Sequence, residues 1–158
     1  MHTMNGRDPP IICLYYSDPP RWYVRLLLDM KHLTPVEAHA FLQAHPDAVL
    51  IDCRTEMEFF YVGHPAGAVH VAWHEPPDWE ANPDFAKQVL HETGNKDKPV
   101  LLICRSGKRT LDAGQALEAD GFADVTNVLA GFEGDLDGNF HRNTINGWRV
   151  DGLPWEQL

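Results

Sequence analysis

The segment PVLLIC, residues 99–104, gives the clearest indication of the fold. It is a near-continuous run of large apolar side chains, and the polar loop RSGKR follows it at once. Such a run is typical of a strand that is buried on both faces, as strands of a parallel sheet are. Because parallel strands need long crossover connections, usually helices, the run predicts an α/β protein.

The rest of the chain alternates in the way that this prediction requires. Further strands are predicted over residues 48–52, 67–72 and 125–128, and helical patterns separate them over residues 35–45, 55–62, 83–93 and 110–120. The first helix has a capping box, Thr34-Pro35-Val36-Glu37, with proline at the first helical position. Strands that alternate with helices predict right-handed crossovers and a sandwich with a central parallel sheet.

Residues 1–29 differ from the remainder. The stretches MHTMNGRDPP and SDPPRW are rich in proline and polar breakers and show no clear period. Met30 opens the segment MKHLTPVEA, which reads as the natural start of a domain. We therefore predict an N-terminal extension over residues 1–29, disordered or loosely docked, and a single domain over residues 30–158, a length that suits one hydrophobic core.

Composition excludes several classes of protein. The formal net charge of −10 argues against nucleic acid as a partner. No stretch approaches the roughly 20 apolar residues that span a bilayer, so no membrane association is expected. The three cysteines form no CxxC pair, which argues against a disulfide framework and against a zinc site. A reducing, cytoplasmic location is therefore expected.

Cys104 lies where the predicted strand ends, and ligands of open α/β sheets bind beyond this end of the strands. The loop that follows leads into the N-terminus of a helix, whose backbone N–H groups and dipole favour negative charge. Arg105, Lys108 and Arg109 add positive charge, and Gly107 permits a close turn.

This environment favours the thiolate form of a cysteine and would equally stabilise an anionic substrate. Both sulfur transfer and phosphoryl or arsenate transfer fit it. Taken alone, the segment is equally consistent with a buried thiol at the end of a strand, followed by a solvated loop.

Four segments resemble one family. CRSGKRT is similar to the active-site loop of rhodanese-type sulfurtransferases, often Cys-Arg-x-Gly-x-Arg-Ser/Thr, and LIDCRTEMEF resembles their Asp-x-Arg followed by Glu. GHPAGAVHVAW resembles their Gly-His-x-x-Gly-Ala segment. DGFADVTNVLAGFEG resembles their ending, with Phe132 where a second glycine is common. The motifs stand in the family's order and cover about residues 30 to 155.

The resemblance implies a rhodanese-like three-layer α/β sandwich with a central parallel sheet. It implies that Cys104 is a nucleophile that holds sulfane sulfur as a persulfide, without a metal or an organic cofactor. The implied anion-binding loop comprises Arg105, Ser106, Gly107, Lys108, Arg109 and Thr110. The implied supporting residues are Asp52, Arg54, Glu58 and His64.

The expected function is that of a thiosulfate sulfurtransferase. Sulfur would pass from thiosulfate or a persulfide donor to a thiophilic acceptor, a small thiol or a protein. One alternative is a binding module that relays persulfide sulfur to a protein partner, and another is an enzyme like a phosphatase or an arsenate reductase. The loop places Arg109 fifth after Cys104, one residue earlier than in tyrosine phosphatases and in rhodanese-fold dual-specificity phosphatases. A shorter loop suits a sulfur atom, which favours sulfur transfer.

Three further features have two interpretations each. Cys53 could resolve a persulfide on Cys104, but strand alternation places it opposite Asp52, and a packed thiol is the preferred interpretation. The long connection WHEPPDWEANP either borders the mouth of the site or packs on the surface. The tail GWRVDGLPW is interpreted as a strap with Trp148, Leu153 and Trp155 as anchors, or as a docking segment for a partner.

Overall fold

The computed structural model describes residues 30–158, and the predicted extension lies outside this range. The strands are β1 (Lys31–Leu33), β2 (Val49–Asp52), β3 (His64–Pro65), β4 (Val69–His70), β5 (Val100–Ile103), β6 (Val125–Val128) and β7 (Trp155–Glu156). The helices are α1 (Pro35–Ala44), α2 (Phe85–Thr93) and α3 (Arg109–Ala119), and Glu58–Val62 forms a π-helical turn.

The central sheet has five strands in the order β1-β6-β5-β2-β4, and every neighbouring pair is parallel. This confirms the predicted α/β fold with a central parallel sheet. The edge strands were predicted less well. β1 was not predicted, because it has three residues and only Leu33 is strongly apolar. The strand expected over residues 67–72 is limited to Val69–His70, which pairs with β2 alone.

Each face of the sheet carries its own hydrophobic core. One core packs α2 and α3 against the sheet and includes Ile51, Phe85, Val89, Leu102, Ala113 and Leu117. The other packs α1 and the C-terminal tail and includes Ala38, Leu50, Leu101, Ile103, Phe132 and Trp148. Successive residues of β5 therefore enter opposite cores, which is why the whole strand is apolar.

The helix ends follow the sequence closely. The Thr34 side chain accepts a hydrogen bond from the Glu37 N–H at 3.3 Å, and the Glu37 carboxylate accepts one from the Thr34 N–H at 2.8 Å, so the predicted capping box is present. Asn82 accepts from the Asp84 N–H at 3.0 Å in a turn before α2, which begins at Phe85. Just after β6, residues 129–133 form hydrogen-bonded turns.

The tail returns to the body of the domain. Trp148 is 1% exposed, and its indole N–H donates to the Pro154 carbonyl at 2.8 Å. Leu153 packs against the same core. Trp155 is 37% exposed and is held by strand pairing with Pro65. Trp148 is thus a fully buried anchor and Leu153 a partly buried one, whereas the exposed Trp155 ring lies against the Arg149 guanidinium, 4.2 Å from the ring centroid.

Candidate active site

Cys104 follows β5 directly and is 1% exposed. Its Sγ accepts a hydrogen bond from the Gly107 N–H at 3.2 Å and lies 3.7 Å from the Thr110 hydroxyl oxygen. Gly107 has a φ of 82°, in the left-handed region that favours glycine, and this lets the loop fold back over the sulfur. The thiol therefore lies inside the loop, at the N-terminus of α3.

The segment after β6 holds the backbone of this loop. The Phe132 N–H donates to the Cys104 carbonyl at 2.8 Å, and the Glu133 N–H donates to the Arg105 carbonyl at 3.0 Å. Gly131 makes this approach possible, because a Cβ added to it would meet the Cys104 carbonyl oxygen. The glycine of the fourth motif thus has a steric role beneath the candidate nucleophile.

The sequence suggested that Arg109 contributes a free positive charge to the loop, but in the structure Arg109 is paired with Glu58. Its guanidinium donates to both carboxylate oxygens of Glu58, at 2.8 and 2.7 Å. Burial alone would raise the pKa of Glu58, but hydrogen bonds and charge from Arg109, with hydrogen bonds from Thr55, lower it to about 2. Burial likewise acts to lower the pKa of Arg109, and its bonds to Glu58 reverse that effect and raise it. Glu58 therefore fixes the orientation of the Arg109 side chain, which belongs to the first residue of α3.

Other cations lie at the mouth of the loop. Arg105 and Lys108 are exposed. Arg142 joins them from the tail, where it donates to the Gly134 carbonyl at 2.6 Å. Its pKa is lowered first by burial and next by the positive charge of Arg105, so the two guanidinium groups lie within electrostatic reach of each other. Arg142 was not predicted as a site residue, because nothing in the sequence of the tail indicates that it returns to the loop.

A buried amide organises the inner side of the loop. Asn127 is 1% exposed, and its Oδ1 accepts from the Thr110 hydroxyl at 2.6 Å. Its Nδ2 contacts the Gly107 carbonyl at 3.5 Å and His32 Nδ1 at 3.2 Å. Sequence analysis missed this residue, although an asparagine within the buried strand VTNV was a usable signal, since buried polar groups need partners.

Asp52 and Arg54 form a fully buried ion pair behind the loop. Arg54 Nη2 donates to Asp52 at 2.7 Å and to the Gly63 carbonyl at 2.5 Å, which ties the end of β2 to the end of the π-helical turn. The Arg54 guanidinium lies 4.4 Å from the centre of the Phe132 ring. The departure from the family pattern at Phe132 therefore covers a buried arginine with an aromatic face.

His64 lies away from Cys104, in β3. Its ring stacks on Phe59 with centroids 3.7 Å apart, and its Nδ1 is 2.8 Å from the Phe59 carbonyl. On the other side, its Nε2 is 3.4 Å from Glu156. His64 thus connects the π-helical turn, which supplies Glu58, to the end of the tail.

The connection between β4 and α2 packs beside the site. Trp73 is buried and contacts Phe85, with ring centroids 5.2 Å apart, so it belongs to the core. The Glu75 carboxylate accepts from the Glu56 N–H at 2.6 Å, which fastens the connection to the segment that leads to Glu58. Trp79 is exposed.

Residues 30–158 contain neither a metal-binding cluster nor a membrane-spanning helix. No group of three or more histidine, cysteine, aspartate or glutamate side chains is placed to hold a metal ion. Across the same residues, no helix is long and apolar enough to cross a membrane.

Comparison with known proteins identifies the family of this chain. The model of the family described as Rhodanese-like domain matches residues 34–136. The match spans more than half of the chain and includes the loop from Cys104 to Thr110. The chain therefore belongs to the rhodanese-like family, as the sequence motifs predicted.

Individual relatives align with a larger share of this chain than the family model does. The crystal structure of Rv0390 from M. tuberculosis superimposes with a TM-score of 0.72 and 37% identity, covering 81% of this chain and 98% of that one. An uncharacterized protein of Rickettsia conorii is 27% identical over 82% of this chain and 99% of its own length. The thiosulfate sulfurtransferase GlpE of Stutzerimonas stutzeri is 31% identical over 68% of this chain and 85% of its own length.

Proposed function

We propose that this protein is a sulfurtransferase that carries sulfane sulfur on Cys104 as a persulfide. The observation that carries the proposal is the position of Cys104 Sγ, enclosed by its loop and accepting a hydrogen bond from the Gly107 N–H at the N-terminus of α3. Donors placed in this way stabilise a thiolate and an anionic sulfur bound to it. The relationship to proteins named thiosulfate sulfurtransferase supports this reaction class.

The reaction has two halves. The Cys104 thiolate attacks the outer sulfur of thiosulfate, the sulfur–sulfur bond of the donor breaks, and sulfite leaves with the bonding electrons. The outer sulfur of the persulfide is then attacked by a thiolate acceptor or by cyanide, and the Cys104 thiolate is regenerated. This is covalent catalysis of the ping-pong type. The cations Arg105, Lys108 and Arg142 at the mouth favour the approach of an anionic donor.

The test is the intact mass of the reduced protein before and after thiosulfate, with Cys104→Ser as the matched control. We expect the unmodified chain alone to gain the mass of one sulfur atom, and cyanide to remove it. If neither thiosulfate nor a low-molecular-weight persulfide adds sulfur to Cys104, the proposal is wrong. Hydrolysis of an aryl phosphate that depends on Cys104 would support the phosphatase alternative.

A relay role, in which a protein accepts the sulfur, is favoured by one observation. Met57 precedes the π-helical turn that supplies Glu58, Tyr61 lies within this turn, and the two residues are 61% and 68% exposed. Exposed large apolar groups on the segment that carries Glu58, the partner of Arg109, suit contact with another protein. A relay module would form the persulfide but transfer it poorly to cyanide, so the same mass assay, extended to turnover, separates it from a thiosulfate:cyanide enzyme.

A further inference from the structure

The register of the adjacent parallel strands β2 and β5 places Cys53 and Cys104 opposite each other, just beyond the ends of the two strands. β2 and β5 pair in the register Asp52↔Ile103, so the next pair along is Cys53 with Cys104. The Cys53 N–H donates to the Ile103 carbonyl at 2.8 Å, which continues the ladder to this pair. Neighbouring strands are roughly 4.8 Å apart, and a disulfide needs α-carbons about 4.4–6.8 Å apart. The backbone spacing therefore permits a bond between these two residues.

Both thiols lie on the same face of the sheet. Cys53 belongs to the core that contains Ile51 and Leu102, whereas Ile103 faces the opposite core. Because side chains alternate along a strand, Cys104 returns to the face of Cys53. Its contacts with Gly107 and Thr110, at the start of the helix on that face, agree with this placement. Both residues are at most 1% exposed, so they share one dry environment.

The electrostatics of the pair favour a thiol at Cys53. Burial raises the pKa of Cys53 well above its ordinary value, and the negative charge of Cys104 raises it further. The positive charge of Arg109 acts in the opposite direction. Cys53 therefore retains its proton next to a Cys104 thiolate, and a proton is available where the sulfur chemistry takes place.

We propose that Cys53 is a second reacting thiol, which reduces the sulfane sulfur held on Cys104 to sulfide and leaves a Cys53–Cys104 disulfide. The inference rests on the proposed function, because it requires the persulfide. It replaces the packed-thiol interpretation that the sequence favoured. According to this proposal, the sulfur on Cys104 is released as sulfide when no acceptor takes it.

The step balances without an external oxidant. Cys53 Sγ attacks the inner sulfur, Cys104 Sγ, and the bond between Cys104 Sγ and the outer sulfur breaks. The outer sulfur leaves with the bonding electrons, takes the proton from Cys53 and departs as hydrosulfide. The sulfane sulfur is thereby reduced, and the two protein thiols are oxidised. An external thiol reductant then returns the disulfide to two thiols by exchange.

The experiment follows intact mass and released sulfide without oxygen or added thiol. Full-length protein carrying Cys13→Ser, which removes the third thiol, is reduced, freed of reductant and loaded with thiosulfate. We expect its mass to rise by one sulfur atom and then to fall to two hydrogen atoms below the starting value, while one equivalent of sulfide appears. Adding Cys53→Ala should leave the gained sulfur in place. Peptide mapping of the Cys53-containing protein should find the Cys53–Cys104 linkage whether or not the alanine variant folds.

The two proposals fail in different ways. If sulfur persists equally long with Cys53 present or replaced, and no linked peptide forms, Cys53 is only a packed side chain and this inference is overturned. If the Cys53→Ala variant also gains no sulfur, the proposed function fails instead. Treatment with hydrogen peroxide then tests, without a persulfide, whether the two cysteines can react with each other. A Cys104 sulfenic acid would condense with the Cys53 thiol to give the disulfide and water. Further oxidation of Cys104 without a disulfide would overturn the pairing.

Discussion

Arg109 and Glu58 are joined by two parallel hydrogen bonds across 51 residues of sequence, one from each terminal nitrogen to a different carboxylate oxygen. Both side chains are mostly buried, with 21% and 18% of their surface exposed. The pair fixes the π-helical turn to the start of α3, next to the loop that holds Cys104. Its effect is therefore to position the loop, whereas Arg105 and Lys108 are the exposed cations of the loop.

This pair predicts a specific loss of stability in acid. The pKa of Glu58 falls from 4.5 to about 2 on folding, so the stabilisation is present above pH 4.5 and is lost as the pH falls towards 2. We expect the unmodified chain to have a higher free energy of unfolding than Glu58→Gln at pH 6, and this difference to decrease by about 2 kcal/mol between pH 6 and pH 3. Urea unfolding of both proteins at several pH values measures this difference. A difference that stays constant over the range would show that Glu58 titrates normally.

A second prediction concerns Gly131. An added Cβ would collide with the Cys104 carbonyl and would lie 2.7 Å from the Arg105 carbonyl carbon, so Gly131→Ala must displace the backbone that carries the thiol. Since misplacing a reacting group by an ångström costs on the order of 100-fold in rate, we expect sulfur loading from thiosulfate to slow by at least this factor.

Gly152→Ala is the matched control for that substitution. Gly152 has a φ of 70°, close to the 62° of Gly131, but nothing lies within 4 Å of an added Cβ. It should lose only about 1–2 kcal/mol of stability from backbone strain and should load sulfur at the normal rate. If Gly131→Ala and Gly152→Ala load sulfur at equal rates, the steric role assigned to Gly131 is wrong. The rates are to be measured by intact mass under conditions in which unfolding curves show both variants to be folded.

The central strands and the helix ends were predictable because each has a local physical signature. PVLLIC is apolar throughout because its side chains enter two cores, and Thr34 and Glu37 form a cap that requires only four consecutive residues. The position of Cys104 at a strand end follows from this local pattern and from the family motifs, whereas the order of the strands in the sheet was not predicted.

The remaining contacts of the site depend on long-range pairing, which one sequence does not reveal. Arg109 was counted as a loop cation, yet its orientation is decided by Glu58 on a distant turn. Arg142 reaches the site because the tail folds back, and β1 forms because β6 offers it a partner. Strand alternation places Cys53 on the face opposite Asp52, as the sequence predicted. Cys104 lies on that face too, but this could be seen only from the register of β2 with β5.

The last prediction concerns Thr110, whose hydroxyl lies between Cys104 Sγ and Asn127. Its proton is donated to Asn127 Oδ1 at 2.6 Å, and its oxygen faces the sulfur at 3.7 Å. The Thr110 hydroxyl is placed to redirect its hydrogen bond to the sulfur when Cys104 becomes negatively charged. Because a hydrogen bond to a charged group contributes about 1.5–3 kcal/mol, we expect Thr110→Val to slow sulfur loading by roughly 10- to 100-fold.

Thr110→Ser separates this role from packing. Serine retains the hydroxyl and loses a methyl group from a fully buried site, so it should cost some stability but keep a loading rate close to normal. Valine retains the shape and loses the hydroxyl, which also leaves Asn127 Oδ1 without its donor. Loading rates from intact mass and free energies of unfolding from urea titration should therefore rank the two variants differently. If valine loads sulfur as fast as serine, the hydroxyl serves only to orient Asn127, and the loop backbone alone stabilises the charged sulfur.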